Sequence, residues 1–298
     1  MFLSVVICTY NRDQHIERAL QSLVNQDYDK SAYEIIVVDN NSTDQTAEII
    51  HRFKAQHPEH QIVLAKETQQ GLSFARNKGI ALAKGDYISY IDDDGIARED
   101  YVQQIKAYTE QFPNDYAFGG KVLPRYETQK EPAWMSKYIE RIISIVDLGE
   151  AVQTLTKTYP VGCNMFFKKT LFDHIGGFNT ALKLRSDDKY IFLKVREAGY
   201  RVQYLPKVVV WHFIDAFRTT LPYVKKVSRL NGEAENLRIK TLKKGRTKTY
   251  IFRLVDYLFK LGAASILWIV YALQGKAIKG KALFLSMWHS LMGFLSGK

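Results

Sequence analysis

Tyr87-Ile88-Ser89-Tyr90-Ile91-Asp92-Asp93-Asp94-Gly95 is the stretch that decides the fold. Tyr87 to Ile91 is rich in aromatic and β-branched residues and reads as a buried strand, which then runs directly into a row of carboxylates. Adjacent carboxylates repel, each ionised neighbour raising the pKa of the others. Such a row at a strand end is costly unless a divalent cation or another strong positive partner offsets it. A solvated acidic turn is the competing reading, and the residues around the row decide between the two.

Upstream, Phe2 to Cys8 and Glu34 to Val38 are short β-branched runs, and between them Ile16, Leu20, Leu23 and Val24 follow helical spacing. That is a β-α-β unit. It is followed by a helix over Asp44 to Lys54, an apolar run Gln61 to Ala65, and a helix from Leu72 to Lys84 stopped by Gly85. Strands alternating with helices predict an α/β fold with a mostly parallel central sheet. In such sheets ligands bind beyond the carboxyl ends of the strands, where Thr9, Asp39 and Asp92 fall.

Downstream, Tyr101 to Gln111 predicts a helix, and Ala117 to Val122 and Gly162 to Phe167 predict strands. The segment between those strands, with Pro124, Pro132, Trp134 and the apolar Ile139 to Leu148, reads as a substrate-facing insertion with some helix. Ser186 to Ala198 returns to helix. Arg201 to Leu205 and Val208 to Trp211 predict two strands separated by Pro206, the second ending at His212.

With 298 residues and 46% hydrophobic content, the chain can bury a sizeable core, which excludes a disordered protein. Two cysteines, Cys8 and Cys163, fit neither a disulfide framework nor a zinc site, so a reducing compartment is expected. The N-terminus has neither a basic leader nor a small-residue cleavage pattern and reads as a first strand, placing the active part on the cytoplasmic side. Charge is unevenly spread. Residues 218–298 carry 16 Lys and Arg against 3 Asp and Glu, a net +13, whereas residues 1–217 carry 26 against 28, a net −2.

Four motifs lie in order at strand ends and helix starts: Cys8-Thr9-Tyr10-Asn11-Arg12, Val37 to Asp44, Gly71 with Ala75-Arg76-Asn77, and Ile91 to Asp94. Together they resemble the family 2 glycosyltransferases with a GT-A fold, over roughly residues 1–217. The resemblance implies an inverting enzyme that takes a sugar from a nucleotide donor, most simply a UDP-sugar. It also implies roles for particular residues. Asp39 would accept a hydrogen bond from a base N–H, or else bridge turn backbone groups. Thr9 and Arg12, on the first strand-to-helix loop, would suit ribose or phosphate. Asn41 and Asp44 would shape the turn and cap the next helix. Asp94 would coordinate Mn2+ or Mg2+, Asp92 would meet metal or ribose, and Asp93 would share the donor site or stand by. Arg76 would bind donor, and Asn77 would be structural.

In this family a Glu-Asp pair opens the helix that runs to a Gly-Tyr step. Counting back from Gly199-Tyr200 places the pair on Asp187-Asp188, with Asp188 as the general base and Asp187 as its support. Asp at the first position departs from the family pattern. The competing reading is that Ser186 caps the helix and both carboxylates favour its positive end. His212 resembles a further metal ligand. Gly162-Cys163-Asn164 and Gly176-Gly177-Phe178 match the acceptor side and would set backbone shape.

Three regions follow: residues 1–100 as the nucleotide-binding half and 101–217 as the acceptor-side half of the catalytic domain, then 218–298 as a helical tail. In the tail, Tyr223, Val227, Leu230, Ala234 and Leu237 recur at helical spacing beside Lys225, Lys226, Arg229 and Arg238, an amphipathic basic pattern suited to anionic lipid. Two apolar stretches, Leu261 to Leu273 and Ala282 to Leu295, are each shorter than the roughly 20 residues that span a bilayer. They predict peripheral or monotopic contact with the cytoplasmic face of a membrane, anchored by Trp268 and Trp288. The competing reading is a homo-oligomerisation module. Nucleic acid is not expected, for want of a recognition motif or a basic-aromatic stacking surface.

The expected reaction is transfer to a hydroxyl of a growing glycan or lipid-linked glycan in bacterial exopolysaccharide, capsule or lipopolysaccharide assembly. The alternatives are a nucleotidyltransferase, which needs no base at Asp188, and a non-catalytic glycan-binding or scaffolding protein on the same fold.

Overall fold

A computed structural model describes residues 1–182, 185–242 and 244–296. In chain order the elements are β1 (Leu3–Thr9), α1 (Ile16–Val24), β2 (Tyr33–Asp39), α2 (Thr46–Gln56), β3 (Ile62–Lys66), α3 (Leu72–Leu82), β4 (Tyr87–Asp92), β5 (Gly95–Ala97) and α4 (Tyr101–Gln111). There follow β6 (Ala117–Tyr126), β7 (Gln153–Thr154), β8 (Met165–Lys168), α5 (Leu171–Ile175), α6 (Asp187–Glu197), β9 (Val202–Ile214), α7 (Leu221–Lys240), α8 (Arg246–Leu273) and α9 (Ala277–Ser296). The chain packs as two compact units, one of residues 1–124, 146–183 and 187–213, the other of 125–145, 184–186 and 214–298.

The first unit is built on a sheet of order β3-β2-β1-β4-β8-β6-β9-β5, with β7 paired to β9. The pairs β1-β2, β1-β4 and β2-β3 are parallel, as the alternation of strands and helices predicts, and β8, β6 and β5 join antiparallel. Side chains alternate across the sheet. Val5, Ile7, Ile35 and Val37 enter one core with α1, α2 and α4, whereas Val6, Ile36 and Val38 enter the other with residues of α3 and α6. Both faces are therefore covered, which explains the nearly unbroken apolar runs of β1 and β2.

Two expectations for this unit are corrected. The strands on either side of Pro206 are one continuous β9. Proline lacks the N–H donor and fixes φ, so a strand tolerates it only where no ladder N–H is required. The strand expected from Gly162 begins at Met165, after a turn closed by Asn164 N donating to Val161 O at 3.1 Å.

In the second unit the segment expected to face substrate is largely core. Trp134, Met135, Ile139, Ile142, Ile143 and Ile145 pack with Ile214, Val224, Val227, Ala264, Ala282 and Leu283. Its regular helix is one short 3-10 turn, Glu140–Ile143. Of the apolar positions on α7 expected to face lipid, Val227 and Ala234 are buried and Tyr223, Leu230 and Leu237 are half-buried, and Ser228 and Ser286 hydroxyls meet at 3.0 Å between α7 and α9. The apolar stretch Leu261 to Leu273 is only the C-terminal half of the 28-residue α8. Polar residues such as Thr247, Thr249 and Arg253 continue that helix toward its start because they follow its period without interrupting it.

Candidate active site

Parallel pairing sets Thr9 opposite Asp39 and Cys8 opposite Asp92, so the ends of β1, β2 and β4 open on one edge. The acidic row is not uniform. Asp92 ends β4, Asp93 and Asp94 form a two-residue turn, and Gly95 starts β5. A Cβ at Gly95 would lie 2.6 Å from Ile91 Cγ2 and 3.0 Å from Asp92 O, so the chain can turn there only without a side chain.

Asp93 and Asp94 are buried. Arg12 Nε lies 3.4 Å from Asp93 Oδ1 and Arg12 Nη2 lies 3.9 Å from Asp94 Oδ2. His212 Nε2 stands 3.1 Å from Asp94 Oδ1, brought there by the pairing of β5 with β9, in which Gly95 faces His212. Burial pushes the Asp93 carboxyl up to about 7, with the Asp94 charge adding and Arg12 and the Thr9 hydroxyl opposing. Desolvation also raises Asp92, Arg76 opposing and Asp94 adding. Hard carboxylate oxygens beside an imidazole, together carrying more negative charge than their setting comfortably holds, fit Mn2+ or Mg2+.

The expected metal set is only partly assembled. Asp94 and His212 meet, whereas Asp92 Oδ1 lies 3.4 Å from Arg76 Nη2. Arg76 makes contacts that the sequence reading does not include. It is 3% exposed, ion-paired through Nη1 to Asp187 Oδ2, and stacked 5.4 Å from the Phe178 ring centroid. Burial opposes its charge, but Asp187 and Asp92 outweigh burial and its pKa rises above the ordinary value. A Cβ at Gly162 would collide with this guanidinium. Arg76 is thus enclosed by protein and joins the acidic row to the start of α6.

Asp187 is buried in that pair. Asp188, on the first turn of α6, is half-buried, and its Oδ1 accepts from its neighbour Lys189 N at 2.6 Å. The two carboxylates therefore differ in exposure, Asp187 being buried and Asp188 half-buried.

The first two loops are interlocked. Arg12 N donates to Thr46 Oγ1 at 2.8 Å, Thr43 N to Asn11 Oδ1 at 2.8 Å, and Thr46 N to Asp44 Oδ1 at 3.0 Å. Asn11 and Asn41 take positive φ; Asp44 shapes the turn, whereas the cap position of α2 falls on Gln45, with no side-chain cap bond. Asp39 is buried and its Oδ1 accepts from Ser42 N at 3.0 Å, so base recognition would fall to its other oxygen. Asn77 holds Phe178 by two backbone bonds of 2.9 and 2.8 Å, a structural role.

One organiser escaped the sequence reading. Buried Asn40 donates to Glu67 O and Gln69 O and accepts from Gly71 N at 2.8 Å, fixing the loop that leads into α3. Its signal was its place in the Val37 to Asp44 motif, directly after Asp39 at the strand end. Away from this edge, His57, Glu59 and His60 bring donor atoms within 4.8 Å of one another.

Residues 4–176 match the model of glycosyl transferase family 2, and the chain belongs to that family. It is 28% identical over 242 residues to glucosyl-dolichyl phosphate glucuronosyltransferase of Haloferax volcanii, covering 75% of this chain and 73% of that protein. It is 30% identical to poly(ribitol-phosphate) beta-glucosyltransferase of Bacillus spizizenii, covering 70% of this chain but 32% of that one. Among solved structures, mannosyltransferase PcManGT from Pyrobaculum calidifontis, in complex with GDP-Man and Mn2+, aligns at TM-score 0.68 and 21% identity over 99% of this chain and 87% of that one. Staphylococcus aureus TarS 1-349 with UDP-GlcNAc aligns at TM-score 0.57 and 16% identity, covering 100% of this chain and 93% of that one. These likenesses show a common GT-A fold. The protein is a glycosyltransferase, which sets aside the nucleotidyltransferase alternative.

Proposed function

We propose that the chain is an inverting, metal-dependent glycosyltransferase that moves a sugar from a nucleotide-sugar, with UDP as the favoured nucleotide, to a hydroxyl of a growing glycan. The proposed setting is bacterial surface-glycan assembly on a lipid carrier, at the cytoplasmic face of the membrane, with residues 218–298 making the contact. The observation that carries the reading is the division of labour in Asp187-Asp188: Arg76 fastens the first to the acidic row, and the second stays partly open at the start of α6.

In this reading the Asp188 carboxylate takes the proton of the acceptor hydroxyl. The acceptor oxygen bonds to the anomeric carbon from the face opposite the diphosphate. The carbon–oxygen bond to the nucleoside diphosphate breaks, and configuration inverts. Asp94 and His212 would hold Mn2+ or Mg2+, which supplies positive charge to the departing diphosphate. Arg76 keeps Asp187, and with it the start of α6, in register with Asp92. Asp39 would read the base, and Thr9, Arg12, Asp92 and Asp93 would border the donor.

The names of the relatives support a phosphate-linked lipid or polymer acceptor, and those of the structures name both UDP-GlcNAc and GDP-Man. The test is a screen of UDP-, GDP- and other nucleotide sugars with Mn2+, reading released nucleoside diphosphate. Release from one donor, abolished in Asp188→Asn, is expected. Pyrophosphate as product, or an Asp188→Asn protein that transfers normally, would overturn the proposal.

A further inference from the structure

The helix α8 carries an exposed apolar face that the protein leaves uncovered. Ile251, Phe252, Val255, Leu258, Phe259, Ile266, Ile269, Val270 and Leu273 are 41 to 85% exposed. At about 100° per residue these positions all fall within an arc of ~120°, along a helix about 42 Å long. The residues turned the other way, Tyr257 and Ala264, are buried against neighbouring helices. Among the described residues, α8 is the one helix long and apolar enough to cross a membrane.

Its composition around the helix argues against crossing. Arg253, Asp256 and Lys260 lie off the apolar arc, and Arg253 Nε pairs at 2.8 Å with Glu235 of α7, itself bonded to Arg238. Spanning would drag this network into hydrocarbon, where ions are expensive. A helix with one apolar face and one ionic face instead lies in the plane of the interface.

Charge selects the occupant. Lys244, Arg246 and Lys248 flank the start of α8, Lys276, Lys279 and Lys281 follow its end, and residues 218–298 are net +13. A second copy docked through the same face would bring two strongly cationic tails together, whereas an anionic leaflet complements them. At the start of α8 a cavity of about 230 Å³ is lined by Asn236, Ile239, Lys240, Arg246, Thr247 and Tyr250. Two cations with amide, hydroxyl and phenol groups suit a phosphate.

We propose that α8 lies flat on an anionic lipid leaflet, its apolar arc in the acyl boundary, with a lipid headgroup phosphate in the cavity beside Lys240 and Arg246. This rests on the membrane-contact part of the proposed function and not on its chemistry. It replaces α7, whose apolar face is buried or half-buried, as the lipid-facing helix.

The experiment is flotation of the full chain with vesicles of phosphatidylcholine alone or mixed with phosphatidylglycerol, with light scattering in parallel. Binding to the anionic vesicles is expected to exceed that to neutral ones by at least about tenfold. Phe252→Glu and Phe259→Glu, at exposed positions that leave the core untouched, should each weaken it by about tenfold or more. Arg246→Glu should lower the preference for anionic lipid. Nucleoside diphosphate release from a soluble donor, read in the same variants, should stay unchanged, which separates this proposal from the catalytic one. Equal binding to both vesicles, no binding, or a dimer in solution that Phe259→Glu dissociates would overturn it. So would a thermal shift with inorganic phosphate that is lost in Arg246→Glu while vesicle binding persists, since the cavity would then serve free phosphate.

Discussion

The Arg76 guanidinium is fastened to the Asp187 carboxylate across 111 residues of sequence, and its second arm reaches Asp92. One buried cation thus joins the last residue of β4 to the first of α6. Removing it leaves the buried Asp187 carboxylate without its counter-charge. Arg76→Ala should cost about 3–5 kcal/mol, the usual penalty for breaking a buried pair. Arg76→Lys should recover only part, because an ammonium cannot hold two carboxylates with the geometry of a guanidinium. Urea unfolding measures both, and an alanine variant within about 0.5 kcal/mol of the parent would refute the linking role.

That link shows where sequence reasoning stopped. Thr9, Asp39 and Asp92 were legible because β-branched strands alternating with helices force a parallel sheet, and a parallel sheet puts its strand ends on one edge. The place of Asp188 on the first turn of α6 was legible by counting from Gly199-Tyr200. The partner of Arg76 was not, because nothing local marks a contact so distant in sequence, and an arginine beside a proposed donor site reads as a ligand contact. The tail is a related case. Both α7 and α8 are amphipathic by spacing, and spacing cannot say which apolar face is covered by a neighbouring helix.

If Asp188 is the base, its charge matters in the transition state and not in donor affinity. Asp188→Asn keeps the shape, and the accepting oxygen for Lys189 N survives, so the start of α6 should hold. Transfer should fall by about 10²–10⁴-fold. UDP affinity, read by calorimetry, should be unchanged. A matching loss of UDP affinity would move Asp188 into donor binding.

Asp94 and His212 touch at 3.1 Å, and both belong to the proposed metal set. Asp94→Ala should make UDP binding insensitive to Mn2+. His212→Ala should weaken the Mn2+ response by about 10–100-fold. The same protein stripped with chelator should regain activity on adding Mn2+ or Mg2+. UDP affinity that ignores Mn2+ in the parent protein would dispose of the assignment.

His60 offers a pH dependence away from this edge. Burial holds its imidazole below the ordinary 6.5, with Lys30 and His57 adding and Glu59 opposing. The unfolded chain therefore binds the proton more readily than the folded one. Its contribution to stability is full above about 6.5 and is lost as pH falls from there toward the lower folded value. His60→Gln should flatten that part of the stability curve, measured by urea midpoints with chelator present. An unchanged slope would mean the titration lies elsewhere.

Truncation after residue 217 looks like a natural way to isolate the catalytic domain, yet the packing predicts otherwise. Trp134, Met135 and Ile139 are 2 to 3% exposed, and the core they share includes Val224, Val227, Ala264, Ala282 and Leu283. Deleting the tail removes those partners while leaving the segment 125–145 attached to β6. Each large apolar side chain returned to water forfeits about 1.5–3 kcal/mol, against a total stability of about 5–15 kcal/mol for a typical domain. The truncated chain should bind a hydrophobic dye, aggregate on concentration and lose a sharp thermal transition. Loss of vesicle binding in such a protein would then report damage as much as lost lipid contact, which is why single exposed substitutions on α8 are the cleaner probe. A monodisperse, dye-silent fragment of residues 1–217 would show that the tail is dispensable for the core around Trp134.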